Sequence, residues 1–238
     1  NVARIGVLLA GLPDSVPAMT INRFCSSGVQ AVALAADRIR TGDDDVVIAA
    51  GTESMSMVPM MGNKVALNSA VFAKDENVAI AYGMGITAEK VAAQWKVTRE
   101  EQDAFAVASH RKAAAAIAAG HFREEILPYE IDSAAPDLAS GKVVHRTKVA
   151  DTDEGPRPDS SLESLGKLRP AFAARGSVTA GNSSQMSDGA GAVVLMSERA
   201  MKKYGVQPLA RFVGFAVAGV PPEIMGIGPI KAIPKVLA

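Results

Sequence analysis

The chain is 238 residues long, with 25 Lys and Arg against 25 Asp and Glu, one cysteine and 48% hydrophobic residues. That composition excludes a disordered chain, a collagen, a coiled-coil rod and a nucleic-acid binder driven by its overall field. A lone cysteine excludes an internal disulfide and a multi-cysteine zinc site, and no apolar run reaches the roughly 18 residues a spanning helix needs.

Residues 2–10 (VARIGVLLA) read as the tail of a helix, broken by Gly11, Pro13 and Pro17. Residues 18–24 (AMTINRF) mix β-branched and apolar side chains and predict a strand. Over 26–40, Val29, Val32, Ala33, Ala36 and Ile39 recur at helical spacing, with arginines in the last turn and Thr41-Gly42 as the stop. Val46 to Ala50 is a continuous apolar run, as in a strand covered on both faces. Strand, helix and strand in this order predict a βαβ unit and a layered, parallel α/β fold.

The middle of the chain changes character. From Met55 to about Arg175 it is rich in turns, polar residues and methionine. Helices are predicted over 86–97 and 100–120, the second opened by a capping box at Thr98-Arg99-Glu100-Glu101 and closed by Gly120. Residues 131–160 read as surface loop with one short strand near Lys142–His145. This stretch has the form of a long insertion. The layered pattern then returns, with a buried strand from Ala192 to Met196 and a short helix capped by Ser197 and ended by Gly205. A further strand is predicted over 209–217, and a helix opens from Ile230 to Ala238.

Cys25 is the residue with the most chemistry to offer. It sits where strand 18–24 is expected to turn into helix 26–40. First-turn amide groups and the positive helix end favour a thiolate there, and small neighbours at Ser26, Ser27 and Gly28 leave room for a substrate. A nucleophile that forms a thioester is one reading. A buried structural cysteine is the other, and the residues alone leave both open. His110 and His121 in or after a helix, and His145 in a charged segment, read as surface residues.

The stretch 19–58, MTINRFCSSGVQAVALAADRIRTGDDDVVIAAGTESMSMV, closely resembles the thiolase family of acyl-CoA:acetyl-CoA acyltransferases. The blocks NRFCSSGVQA and AGTESMS carry the likeness, as does 167–195, KLRPAFAARGSVTAGNSSQMSDGAGAVVL. Residues 83–108 are similar to the family's loop domain and MGIGPIKA (225–232) to the linker into its second half. The likeness runs over essentially the whole chain.

The resemblance implies an α/β fold of the thiolase type, layered α/β/α/β/α, with an inserted loop domain and incomplete at both ends. Residues 1–54 and 187–205 would be part of the N-terminal core domain, 55–186 the CoA-binding loop domain, and 206–238 the start of the C-terminal core domain. It implies a ping-pong acyl transfer in which Cys25 takes the acyl group of a 3-ketoacyl-CoA and its own N–H donates into the oxyanion hole. It implies Arg157 at the adenine and 3′-phosphate end of CoA. Ser164 and Phe172 fall beside the pantetheine channel, Ala180 and Ser184 along the pantetheine arm, and Met84 near the thioester.

CoA and acyl-CoA enter as substrates, with no permanently bound cofactor and no metal. A homodimer or homotetramer is expected, with no nucleic acid and no membrane span. Gly83 stands where biosynthetic acetoacetyl-CoA thiolases carry His, which points to the degradative thiolases of fatty-acid β-oxidation. A biosynthetic thiolase and a non-catalytic CoA-binding protein remain the alternatives. A ketoacyl synthase does not fit, because its nucleophile context differs and it lacks the loop domain. The family's general-base His and second Cys are expected beyond Ala238, and its opening strand before Asn1. No export signal is read. The expected location is the cytoplasm for a bacterial protein, with mitochondrion and peroxisome open.

Overall fold

In the computed structural model, which describes all of Asn1–Ala238, the elements in chain order are α1 (Val2–Leu9), α2 (Ser27–Thr41), β1 (Val46–Glu53), α3 (Asp75–Val78), α4 (Met84–Trp95), α5 (Arg99–Ala118), β2 (Tyr129–Asp137), β3 (Lys142–Ala150), α6 (Leu162–Gly166), β4 (Gly189–Met196), α7 (Glu198–Tyr204) and α8 (Gly228–Leu237). The chain divides into two units. One comprises Asn1–Leu67, Met186–Gly219 and Pro229–Ala238; the other comprises Asn68–Gln185 and Val220–Gly228.

In the first unit, β1 and β4 pair antiparallel, Val46 opposite Met196 and Glu53 opposite Gly189. α2 packs on this ribbon and buries Ala33, Ala35 and Ala36, whose short side chains allow close approach. Gly42 ends α2 in the left-handed region at φ 82°, with Arg38 and Arg40 in the last turn. The ribbon is covered on only part of one face. Ala49 is 5% exposed while its cross-strand partner Val193 is half exposed, and Val46, Ile48 and Val194, which share the opposite face, are open. The expectation of a strand buried on both faces is therefore corrected: β1 is inward only at Val47 and Ala49 and exposed elsewhere.

The parallel βαβ unit is corrected too. Residues 18–24 form no strand. The Ala18 carbonyl accepts from the Asn1 side chain at 3.0 Å, and the Thr20 hydroxyl accepts from the Ala3 amide at 3.0 Å. β-branched content favours extension, but a strand exists only where a neighbour offers a ladder, and here the segment is tied instead to the start of α1 by one backbone carbonyl and one hydroxyl. Residues 209–217 likewise form no strand. They are tied by the Arg40 guanidinium, which donates to the Val213 carbonyl at 3.0 Å and lies over the Phe212 ring, and by Lys235, which donates to Val217.

α7 begins at Ser197, whose amide donates to the Asp45 carbonyl at 2.8 Å and whose hydroxyl donates to the Asp45 carboxylate at 2.6 Å. Arg199 completes that clamp and, with Ser197, holds the Asp45 carboxyl below the usual carboxylate range.

The second unit is built around α4 and α5. Thr98 and Glu101 form the expected reciprocal cap: the Thr98 amide donates to the Glu101 carboxylate at 2.8 Å, and the Glu101 amide donates to the Thr98 hydroxyl at 3.2 Å. Gly120, at φ +76°, turns the chain just past α5. β2 and β3 then form an antiparallel hairpin, Tyr129 opposite Ala150 and Asp137 opposite Lys142. The surface loop expected over 131–160 is thus half hairpin, and its first strand was hidden by Asp132, Ser133 and Pro136. Both strands are almost wholly exposed, so no burial period marks them. A 3₁₀ segment, Pro222–Ile227, lies against α4 through Gly226 and Val91.

Candidate active site

Cys25 lies in a single 3₁₀ turn, Phe24–Ser26, immediately before α2. No strand leads into it. The elbow is made by Phe24, at φ 46° in the left-handed region where a bulky residue costs about 1–3 kcal/mol. Three side chains impose that geometry. Asn22 accepts from the Phe24 amide at 2.8 Å. The Ser27 hydroxyl accepts from the Arg23 amide and donates to the Phe24 carbonyl, each at 2.7 Å. The Ser26 hydroxyl donates to the Arg23 carbonyl at 3.0 Å. The two serines, singled out in the sequence for their small size, also lock the turn. Cys25 itself is an exposed free thiol, and its amide N–H donates to no carbonyl or side chain of the chain. A sulfur and an adjacent free N–H on a rigid turn are the parts needed to take up an acyl group and bind its oxyanion.

In the same unit, Asp188 joins the turn at 54–58 to the start of β4. It accepts from the Ser56 amide at 2.9 Å and from the Ser56 hydroxyl, which together hold its carboxyl below the ordinary range. This links two motifs, ESMS and SDGAG, that are distant in sequence.

The remaining candidate residues all lie in the second unit, and all are exposed: Met84, Arg157, Ser164, Phe172, Ala180 and Ser184. Phe172 lies against Gly85, the residue after Met84: a Cβ at Gly85 would fall inside the Phe172 ring. Ala180 and Ser184 share one loop with buried Thr179, whose amide donates to Asn182 Oδ1 at 2.7 Å and whose hydroxyl accepts from the Gly181 amide at 3.2 Å. Gly181 packs on Leu165 and Leu168, which sets this loop beside α6 and Ser164. The Ser164 hydroxyl is engaged in capping α6: it donates to the Ser161 carbonyl at 2.9 Å and accepts from the Ser161 amide at 3.1 Å. Arg157 forms none of the ion pairs of this unit, which are Lys74–Glu76, Arg99–Asp103, Lys148–Glu154 and Lys167–Glu163. Its backbone amide donates to His110 Nδ1 at 3.1 Å, so His110, read as a bland surface residue, anchors the Arg157 segment.

Sequence reasoning missed the residues that hang this loop on the helices. Arg99 Nε pairs with Asp103 at 2.7 Å, and the Arg99 guanidinium also donates to the carbonyls of Leu165 at 2.5 Å and Leu168 at 3.1 Å. The buried Asp103 carboxylate accepts in turn from Asn182 Nδ2 at 2.9 Å. Glu89 on α4 accepts from the amides of Ser177 and Val178 at 3.0 and 2.9 Å. Only the Asn182 within AGNSS and the Arg-x-x-x-Asp spacing on α5 hinted at any of this. No group of three or more His, Cys, Asp or Glu side chains converges on a metal-sized site. No helix is long and apolar enough to cross a membrane.

Residues 1–199 match the family model described as "Thiolase, N-terminal domain". The chain is 50% identical over 237 residues to the 3-ketoacyl-CoA thiolase of Bacillus subtilis (strain 168), covering 100% of this chain and 60% of that protein. It is 49% identical over 247 aligned positions to the acetyl-CoA acetyltransferase of Allochromatium vinosum, again covering 100% of this chain and 60% of the relative. Among solved structures it is similar to the dimeric peroxisomal thiolase of Saccharomyces cerevisiae, with TM-score 0.83, 40% identity, and coverage of 98% of this chain and 57% of that one. It also resembles human mitochondrial 3-ketoacyl-CoA thiolase, with TM-score 0.80, 40% identity, and coverage of 99% and 60%. The chain thus spans about 60% of the length of the relatives it matches.

Proposed function

Because the chain belongs to the thiolase family and shares its α/β fold, we propose that the protein carrying it is an acyl-CoA:acetyl-CoA acyltransferase with Cys25 as nucleophile. In this reading the Cys25 thiolate attacks the keto carbon of a 3-ketoacyl-CoA. The Cα–Cβ bond breaks, its electron pair leaves with the acetyl-CoA fragment, and that fragment takes up a proton. The thiol of a second CoA loses its proton as it attacks the Cys25 thioester, which balances the proton taken up by acetyl-CoA, and the cysteine leaves as thiolate. The amide of Cys25 donates to the oxyanion in both steps.

One observation carries the reading: an exposed thiol and a free N–H on a turn whose strained geometry three side chains impose. Strain that is over-determined in this way is characteristic of working sites. By the family likeness, the same reading assigns Met84, Arg157, Ser164, Phe172, Ala180 and Ser184 to CoA within a loop domain at 55–186, between core segments at 1–54 and 187–205 and a second core beginning at 206. CoA and acyl-CoA are substrates and no resident cofactor is required. The open space beside Gly83, where an added Cβ meets nothing within 4 Å, supports broad-chain, degradative thiolysis. The names of the relatives cover both the 3-ketoacyl-CoA and the acetyl-CoA activities. The yeast neighbour is a dimer, which supports an oligomer here, and the bacterial relatives support a cytoplasmic location.

The test is mass spectrometry of the full-length protein after mixing with an acyl-CoA. An acyl mass on the peptide containing Cys25, lost in Cys25→Ala, is expected. An adduct on another residue, or no adduct at all, removes the mechanism.

A further inference from the structure

α4 begins at Met84 and carries Glu89 just over one turn later. Both oxygens of the Glu89 carboxylate are taken up by one short stretch of chain: Ser177 N reaches each at 3.0 Å, the Ser177 hydroxyl reaches Oε2 at 3.2 Å, and Val178 N reaches Oε1 at 2.9 Å. No Lys, Arg or His forms an ion pair with it. A half-buried carboxylate met only by backbone amides and a hydroxyl is a directional device more than an electrostatic one, because each N–H fixes both the distance and the tilt of the strand that offers it. Gly176 is shaped to admit it. A Cβ there would collide with the Glu89 carboxylate and lie 3.1 Å from the Ala173 carbonyl.

The clamp propagates in two directions. The Val178 carbonyl accepts from the Ala171 amide at 2.9 Å, next to Phe172, whose ring rests on Gly85. On the other side Val178 leads into buried Thr179 and then Ala180. One side chain therefore sets the positions of Phe172 and Ala180 relative to Met84.

We propose that Glu89 is a positioning residue for the pantetheine channel, holding segment 171–180 to α4 so that Phe172, Ala180 and Met84 form one wall. The proposal rests on the assignment of those three residues to CoA. Glu89 touches no substrate. Because the same wall receives 3-ketoacyl-CoA in the first half-reaction and CoA in the second, loosening it weakens both substrates together.

The experiment is steady-state thiolysis by the full-length protein, with each substrate varied in turn, on Glu89→Gln, Gly176→Ala and the double variant. Glu89→Gln keeps the shape but turns an NH2 group toward the amides of Ser177 and Val178. The expected result is a rise of about tenfold in the KM for both substrates with kcat within about twofold, the size set by hydrogen bonds to a charged group. Gly176→Ala should reproduce it without changing charge. The double variant should be no worse than either single one, since both break the same contact. A purely structural Glu89 would lower the unfolding temperature and leave both KM values unmoved, which overturns the proposal. Additive KM effects in the double variant overturn it as well. Should Glu89→Gln not fold, Ser177→Ala, which deletes the hydroxyl bonds to both Glu89 and Gln102, is read beside Gln102→Ala, which leaves the bond to Glu89 in place: about a twofold rise in both KM values with Ser177→Ala alone supports the clamp, and a rise no larger than that of Gln102→Ala overturns it. Wild-type protein that neither binds nor turns over CoA sinks both this proposal and the assignment beneath it. Active wild type with unmoved variants sinks the clamp alone.

Discussion

Arg157, which we propose meets the phosphate end of CoA, needs no change in its own chemistry to take that role. Its guanidinium is solvated and unpaired, while its backbone is anchored by His110 Nδ1. An exposed cation offered to a phosphate gives a modest, salt-sensitive attraction that acts equally on the ground and transition states. Arg157→Ala should therefore raise the KM for CoA about three- to fivefold and leave kcat nearly unchanged. The effect should shrink as ionic strength rises. Steady-state kinetics at low and high salt check this, and an unchanged KM at low salt removes Arg157 from the site. Cys25 follows the opposite logic. Its surroundings are fixed by Asn22, Ser26 and Ser27, all within three residues of it, so its geometry is local and rigid.

Elements whose signals are contiguous were legible in the sequence. α5 opens on a capping box read directly from Thr98 and Glu101, and α7 on Ser197 with Gly205 behind it. Thr98→Ala should cost about 1 kcal/mol, read as a lower urea midpoint with an unchanged slope. An unmoved midpoint would mean that the cap is dispensable. Elements that depend on distant partners were not legible. Residues 18–24 have the composition of a strand, yet they bind α1 through Asn1 and Thr20. The hairpin strand at Tyr129–Asp137 has the composition of a loop, yet it finds a partner in β3. The candidate site divides the same way. The Cys25 block was visible because its motif is continuous. The supports of the 171–184 segment were not, since Glu89 meets Ser177 from 88 residues away and Asn182 meets Asp103 from 79.

For the molecule as a whole, the carboxyl groups that depart from their ordinary range all depart downward. Asp45, Asp137, Glu154, Asp188 and Glu198 are all held below their ordinary range, chiefly by side-chain hydrogen bonds from Arg199, Ser140, Lys148, Ser56 and Lys202 respectively. A depressed folded-state value gives stability that is complete above the unfolded-state value and lost as pH falls through the folded one. The unfolding midpoint should therefore drop as pH falls below about 4. Asp45→Asn should lower it at neutral pH and flatten part of that acid limb. Thermal scans from neutral pH downward test both, and an acid limb identical in wild type and variant would rule out a contribution from Asp45.

The ribbon of β1 and β4 also sets a clock. Asp45 and Ser197, which close its end, are 152 residues apart. At the ribosome's pace of about 5–20 residues per second, roughly 8–30 s pass between the emergence of one strand and the arrival of its partner. During that time Val46, Val47 and Ile48 are a nascent apolar strand with neither edge paired. The second unit, contiguous from Asn68 to Gln185 apart from its short return at Val220–Gly228, has that interval in which to fold. Faster translation shortens the strand's exposure but also the time available to the insertion, so the yield of native protein should peak at an intermediate rate of synthesis.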